Sequence, residues 1–432
     1  METGKLMRYF ADKKEIIRGL KVLPREADIR LTKDFISCII GPRRSGKSYC
    51  MYDLVLNKLK LKDEDFLYIN FEDAEMSGAS FSEILIAVNS HEEKYGKKPL
   101  YLFLDEVQVV EGWHKALNSL YESKRHFIVV SGSSSKLLSK EIATSLRGRA
   151  LSYTLLPLSF REYMKFGGVS LDIKTSSEEN MAKNILREYL KHGGFPAVAL
   201  NKEIAEQFFR EYMDLVVFRD VIERKKIKNI FVIKAIVRLL MSSFSKESSI
   251  HRMFDTLKSQ GIKISKKTVY NYASYLEDAF FAFFLRKFDY SIKNEILSMP
   301  KCYICDNGLV TSAEGSAENF GRLAENAVFL ELKRRQNNTA EEIAYYKLSA
   351  GNEVDFAIKK GKTAIKLIQV TAVSNLEDIN KRELKALLEA SGSLKCSSLL
   401  VITWDYEDKK MIESKEINFV PLWKWLLESP GF

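Results

Sequence analysis

Eight consecutive residues, Gly41-Pro42-Arg43-Arg44-Ser45-Gly46-Lys47-Ser48, fit the spacing G-x-x-x-x-G-K-[ST]. Glycines at the first and sixth places let a loop fold back, so that its N–H groups converge on phosphate oxygens at a helix N-terminus. In such a loop Lys47 reaches the β- and γ-phosphates and the Ser48 hydroxyl joins the shell of Mg²⁺, with Tyr49 following on the helix. The flanks agree: Ile36 to Ile40 reads as a buried strand and Tyr49 to Leu61 as the helix after the loop.

A second constellation supplies the acids. Tyr101-Leu-Phe-Leu-Asp105-Glu106 is an apolar strand ending in two carboxylates. Asp105 is expected beside the Mg²⁺, through water, and Glu106 where it polarises an attacking water. An acid at the Glu106 position separates hydrolysis from mere binding. The reaction these residues suit is in-line attack of water on the γ-phosphate, with Lys47 and Mg²⁺ neutralising charge.

Further along, Phe127 to Val130 is an apolar run that ends in Ser131-Gly-Ser-Ser-Ser135. A hydroxyl from Ser131 or Ser133 at such a strand end can bond the γ-phosphate or the lytic water; an ordinary Ser/Gly turn is the plainer reading. Leu146-Arg147-Gly148-Arg149 offers two guanidinium groups suited to charge on a transferring phosphoryl group, in the same or a neighbouring subunit, or else to structural ion pairs. No Asn-Lys-x-Asp run that would read guanine is present, so ATP is the expected nucleotide.

These residues need a scaffold, and the periodicity outlines one. Strand-like runs at Ile36–Ile40, Phe66–Phe71, Leu102–Leu104 and Phe127–Val130, separated by helical stretches, indicate a parallel sheet with crossover helices. From Ser159 to Lys228 the pattern is largely helical: Phe160 to Phe166, Ile185 to Lys191, a break at His192-Gly-Gly-Phe-Pro196, and a long helix over Gln207 to Arg224. Beyond Glu314 helix and strand alternate again, with a helix over Arg322 to Arg334, strands at Ile343–Leu348, Glu353–Lys359, Ile365–Thr371 and Leu399–Thr403, and a helix over Lys381 to Ala390. At 432 residues, two to four domains are expected. There are no internal repeats.

The composition, 46% hydrophobic and 29% charged, is that of a folded protein. No apolar stretch is long enough to cross a membrane, and Met1 to Leu20 is polar without a secretory pattern, so a cytoplasmic location is expected. Five cysteines are too few for a disulfide framework, and Cys302-x-x-Cys305, lacking a second pair, reads as packing thiols on a strand-like run from Lys301 to Ile304. The net charge of +10 favours a polyanionic partner and equally fits a lysine-rich, heat-adapted surface.

Between Ile230 and Lys293 the order is helix, helix, turn, helix, then aromatic strands. Gly261 ends the helix Ile250 to Ser259 and Ser265 caps the next, Lys266 to Asp278. This order resembles a winged helix-turn-helix, with Lys266, Lys267, Thr268, Tyr270 and Asn271 near the start of a recognition-like helix and Phe280 to Ser291 as the wing. DNA is therefore a candidate partner; a packing module inside a larger ATPase is the alternative.

Taken together, Gly41 to Ser48, Leu104-Asp-Glu-Val-Gln108 with Gly112-Trp113, Ser131 to Ser135, and Leu146-Arg-Gly-Arg149 followed by Leu156-Pro-Leu-Ser-Phe-Arg-Glu-Tyr163 resemble the archaeal and bacterial AAA+-like ATPases that carry a C-terminal DUF4143-type region. The resemblance is specific from Ile36 to Met164 and looser beyond. It implies an α/β protein: a P-loop NTPase (ASCE/AAA+-like) parallel sheet, a helical lid, a winged helix-turn-helix and a degenerate restriction-nuclease-like α/β domain. The corresponding segments are 1–158, 159–229, 230–312 and 313–432. Asn70 resembles the polar residue that holds the catalytic glutamate in check in such ATPases.

In the last segment Glu325, Asp355 and Gln369 resemble a PD-(D/E)XK arrangement, whose chemistry requires clustered acids for Mg²⁺ and a lysine beside the second acid. Here Gln369 stands in that acid's place and Thr371 in the lysine's. Lys366 falls on the opposite face of the strand, and Lys385 on the next helix is the remaining candidate. A retained fold without cleavage is expected. The function implied is an ATPase, using ATP and Mg²⁺, that couples nucleotide state to a DNA- or protein-binding C-terminal region. A slow nucleotide-gated regulatory or defence switch, and an ATPase-regulated nuclease, are the alternatives. An arginine acting in trans would require a homo-oligomer.

Overall fold

Runs of β-branched and aromatic residues buried on both faces favour parallel pairing under helices, and the first part of the chain is built that way. A computed structural model describes residues 3–133, 146, 148–314, 320–336, 339–349 and 351–428. It divides into two units, Met1–Leu155 and Leu156–Phe432.

In the first unit, β1 (Ile36–Ile40), β2 (Phe66–Asn70), β3 (Tyr101–Asp105), β4 (Phe127–Gly132) and β5 (Ala150–Thr154) form one sheet in the order β2-β3-β4-β1-β5. All its pairs are parallel. Register sets Ile40 beside Gly132 and Asn70 beside Asp105, so the loop after β1 and the acids ending β3 emerge at the same edge. The intervening β4 matches the ASCE-type order that the resemblance implies.

The N-terminal stretch is polar in composition yet helical over Thr3–Gly19, because Leu6, Tyr9, Phe10 and Ile17 recur at helical spacing and are buried. Its Lys14 is also buried, donating to the Asp63 carbonyl at 2.5 Å with its ammonium 4.4 Å from the Tyr95 ring centre. Burial pulls that ammonium down to about 8.

The second unit begins with helices Phe160–Phe166 and Ser176–His192, each opened by a reciprocal capping box, Ser159 with Glu162 and Thr175 with Glu178. The helix Ala205–Leu215 continues as a wider-wound turn over Val216–Glu223. Helices Ile230–Ser242, Ile250–Ser259 and Lys266–Asp278 then pack with a small antiparallel sheet of β6 (Lys246–Glu247), β7 (Ala282–Leu285) and β8 (Lys301–Ile304), in the order β6-β8-β7. As the sequence leads one to expect, Gly261 takes a left-handed φ of +79° and Ser265 Oγ accepts the Thr268 N–H at 3.1 Å.

Helix Phe320–Arg335 and a mixed sheet follow. The sheet contains β9 (Glu342–Lys347), β10 (Glu353–Lys360), β11 (Thr363–Val370), β12 (Leu399–Thr403), β13 (Asp408–Ile412) and β14 (Lys415–Pro421), in the order β13-β14-β12-β11-β10-β9. One hydrophobic core runs from Phe195 to Leu323 and a second from Leu156 to Leu426, so segments 159–229, 230–312 and 313–432 share cores.

The break at His192 to Pro196 has a packing reason. Gly193 has φ +74°, and a Cβ there would lie 1.7 Å from Asp306 Oδ1. The Asp306 carboxyl accepts the N–H groups of Gly194 at 2.7 Å and Gly308 at 2.9 Å, and burial pushes it up to about 7. Gly193→Ala is therefore expected to destabilise the protein, by about 1–3 kcal/mol from left-handed backbone alone and more from the clash. An unchanged thermal midpoint would contradict this packing.

Candidate active site

The loop is possible because two positions lack side chains. A Cβ on Gly41 would lie 2.2 Å from the Leu155 carbonyl oxygen, and Gly46 takes φ +93° immediately before helix Lys47–Asp53. Arg25, buried at 5% exposure, donates to the Ser45 carbonyl at 2.6 Å and braces the loop from outside. Arg43 pairs with Glu72 at 2.9 Å. Arg44 is exposed with φ +59°, and Tyr49 is half exposed, its ring edge-on to Tyr52. Pro42 is buried.

Lys47 is buried at 4% exposure. It donates to the Pro42 carbonyl at 3.0 Å and the Gly41 carbonyl at 3.3 Å, and lies 3.4 Å from Glu106 Oε1. Ser48 Oγ donates to Asp105 Oδ2 at 2.5 Å. The same carboxylate accepts Tyr68 at 2.7 Å and, on Oδ1, the Ser131 hydroxyl. The Ser131 oxygen in turn accepts the Glu106 N–H at 3.0 Å. Ser131 thus ties the two acids together, whereas Ser133 Oγ is buried without a partner among the described residues.

Glu106 sits at φ +51°, ψ +43°, a conformation costing a non-glycine residue about 1–3 kcal/mol. The turn directs its carboxylate toward Lys47, while Gln108 Nε2 donates to its other oxygen at 2.5 Å. The adjacent acids are driven apart. Burial and the Glu106 charge raise the Asp105 carboxyl, against the hydroxyls of Ser131, Ser48 and Tyr68. Burial would raise Glu106 too, but Lys47, Gln108 and Arg43 outweigh it and hold that carboxyl below its ordinary value. Glu106 is therefore ionised at neutral pH.

Nucleotide and Mg²⁺ fit this set. Only glycine permits the backbone approach at Gly41, and the buried hydroxyls of Ser45 and Ser133 have no partner among the described residues. Ser48 and Asp105 present adjacent oxygens of the kind Mg²⁺ takes.

The remaining expected residues fall elsewhere. Arg147 lies outside the described residues, as do Ser134 and Ser135. Arg149 pairs with Glu122 at 3.2 Å and lies over the Tyr121 ring. Its carbonyl accepts the N–H of Ile36, the first residue of β1, so it stands at the opposite end of the sheet from the loop. Asn70 Oδ1 accepts the Glu72 N–H at 2.9 Å; the amide that reaches Glu106 belongs to Gln108. The roles of Arg25, Tyr68 and Gln108 were not read from the sequence. Gln108 had one signal, its place two residues after the acid pair.

In the second unit Glu325, Asp355 and Gln369 do converge. Gln369 Nε2 donates to Asp355 Oδ2 at 2.8 Å. Lys385 is exposed and faces Glu389 of its own helix at 3.8 Å. Thr371 bonds Glu383, which burial and the Asp355 charge push up to about 7. The cysteines at 302 and 305 are buried free thiols, and no group of three or more His, Cys, Asp or Glu among the described residues has the arrangement of a metal centre.

Comparison with known proteins agrees with this layout. An AAA domain model matches residues 33–164, a domain of unknown function (DUF8612) matches 183–319, and another (DUF4143) matches 320–425. An uncharacterized protein of Methanocaldococcus jannaschii is 38% identical over 429 residues, which is 96% of this chain and 93% of that protein. One from Haemophilus influenzae is 30% identical over 399 residues, 91% of this chain and 95% of that one. Among solved structures, AMPPCP-bound DnaA from Aquifex aeolicus is similar at 14% identity and TM-score 0.25, over 64% of this chain and 89% of that chain. A likeness at that score is too loose to bear on function.

Proposed function

This chain belongs to the family of AAA-domain proteins with a C-terminal DUF4143 region, and from that premise we propose that it binds ATP with Mg²⁺ and hydrolyses it at the Gly41–Ser48 loop. One observation carries the reading: Lys47 and Ser48 of the loop meet Glu106, just past β3, and Asp105, its last residue, directly, at 3.4 Å and 2.5 Å. Binders and hydrolases share the first half of that constellation. The second half, an ionised Glu106 at a strained strand end, belongs to hydrolysis.

The residues divide the work. The loop N–H groups and Lys47 hold the phosphates, and Ser48 with Asp105 holds Mg²⁺. When bound, that ion supplies a positive charge against the phosphate oxygens. Lys47, turning from the Gly41 and Pro42 carbonyls to phosphate, leaves Glu106 Oε1 free to orient water, while Gln108 keeps the other oxygen in place. Arg149, at the far end of its own sheet, would serve only a neighbouring copy's site, which makes a homo-oligomer part of the proposal.

Segment 1–158 is the ATPase core in this reading, 159–229 the lid, 230–312 a winged helix and 313–432 a nuclease-like fold without cleavage. With no helix among the described residues long and apolar enough to cross a membrane, a cytoplasmic site of action accords with it. DNA as partner is supported by Lys263, Lys266, Lys267, Tyr270 and Asn271, all exposed around the start of helix Lys266–Asp278. ATP turnover measured with single-stranded and duplex DNA at two salt concentrations tests this. Stimulation that fades with salt is expected. Turnover indifferent to DNA at both would remove DNA as the partner and favour the slow switch.

A further inference from the structure

Lys301, the first residue of β8, is fully buried and ends among carboxylates from two other elements. Its Nζ lies 3.1 Å from Glu325 Oε1, 3.0 Å from Glu353 Oε1 and 3.0 Å from Asp355 Oδ1. An ammonium has three donors, and here each faces its own carboxylate. Glu353 and Asp355 share a face of β10 by strand alternation, and Glu325 comes from helix Phe320–Arg335. Tyr303, two residues along β8, donates to Glu325 Oε1 at 2.7 Å. The Gln369 amide nitrogen and the Val370 N–H take the other oxygen of Asp355, and Gln369 Oε1 is buried without a partner among the described residues.

The spacing is that of N–H···O bonds. A divalent ion draws carboxylate oxygens to about 2.0–2.6 Å, whereas these stand at 3.0–3.1 Å around nitrogen. Burial opposes a charge on Lys301, but the carboxylates of Glu325 and Asp355 outweigh it and hold the ammonium well above its ordinary range. The residues that resemble a nuclease metal site therefore do not fit a metal as they stand.

We propose that the Lys301 ammonium is the resident cation of this site, seated where the divalent ion would be, and that removing it opens a divalent-cation site made of Glu325, Glu353 and Asp355. The chain fills its own metal position. It does so with a residue from the small sheet, so the same charge fastens β8 to β10. The inference concerns the second unit and stands apart from the nucleotide reading.

The test uses the full chain without nucleotide. Mn²⁺ titrated into wild type, followed by its electron spin resonance, should find no site that Asp355→Asn removes. Lys301→Ala should lower the thermal midpoint by about 5–10 °C, since the buried Asp355 and the partly buried Glu325 and Glu353 lose their counter-charge. Millimolar Mn²⁺, or ethylammonium as a stand-in for the missing side chain, should raise that midpoint again and leave wild type unmoved. The recovery should be absent when Lys301→Ala is combined with Asp355→Asn. A folded Lys301→Ala that gains neither Mn²⁺ binding nor recovery would overturn the proposal. Should that variant not fold, the wild-type titration decides: bound Mn²⁺ that depends on Asp355 overturns it, and no such binding supports it.

Discussion

Lys47→Ala is expected to weaken ATP binding at least about 100-fold, the loss that accompanies removal of one fully engaged, buried charge from an anion site. The reason is local. Lys47 is 4% exposed, and its ammonium is held at the loop by two loop carbonyls and Glu106. Its removal also leaves Glu106, buried and ionised, facing the phosphates without the largest of the influences that hold its pKa down. Two penalties fall on one substitution: lost attraction and new repulsion. Titration of a fluorescent ATP analogue measures it. Affinity within a few-fold of wild type would mean that the nucleotide binds elsewhere.

The second large effect is expected from Glu106→Gln. The amide keeps the size of the side chain, can still accept from Gln108, and removes the negative charge. Binding should therefore persist, and strengthen slightly, because a like charge near the phosphates is gone. Turnover should fall by about 10²–10⁴-fold, the usual contribution of a positioned base. Asp105 cannot substitute. It is committed to Ser48, Tyr68 and Ser131, and its carboxyl is raised rather than lowered. Phosphate release at saturating ATP, beside analogue binding on the same preparation, separates the two effects.

Much of this site was legible because its chemistry is local in sequence. The loop is one contiguous run, and Asp105-Glu106 ends an apolar strand. Strands 36–40 and 399–403 emerge with the limits expected of them, since both are buried along their whole length. What stayed hidden depends on distant contacts. Arg25 reaches Ser45 from a stretch with no periodicity, and Gln108 became visible only once the turn at Glu106 was known. Lys301 was read as the start of a strand, correctly, but its partners lie 24 to 54 residues away on two other elements. A lysine in a strand gives no sign in sequence that it will be buried among acids. Arg149 shows a related limit: a suggestive Arg-Gly-Arg spacing carried no information about which end of the sheet it would occupy. β13 went unread because an edge strand of Asp, Lys and Met with alternating exposure lacks the apolar run that marked the others.

The central claim is that the loop and β3 together make a hydrolytic site. Its most direct test is a single-turnover experiment: wild-type protein in excess over labelled ATP with Mg²⁺, with the nucleotide recovered from the protein over time. The account predicts that bound ATP becomes ADP on wild type and remains ATP on Glu106→Gln. ATP that stays intact on wild type, or is converted equally fast by both proteins, would contradict it.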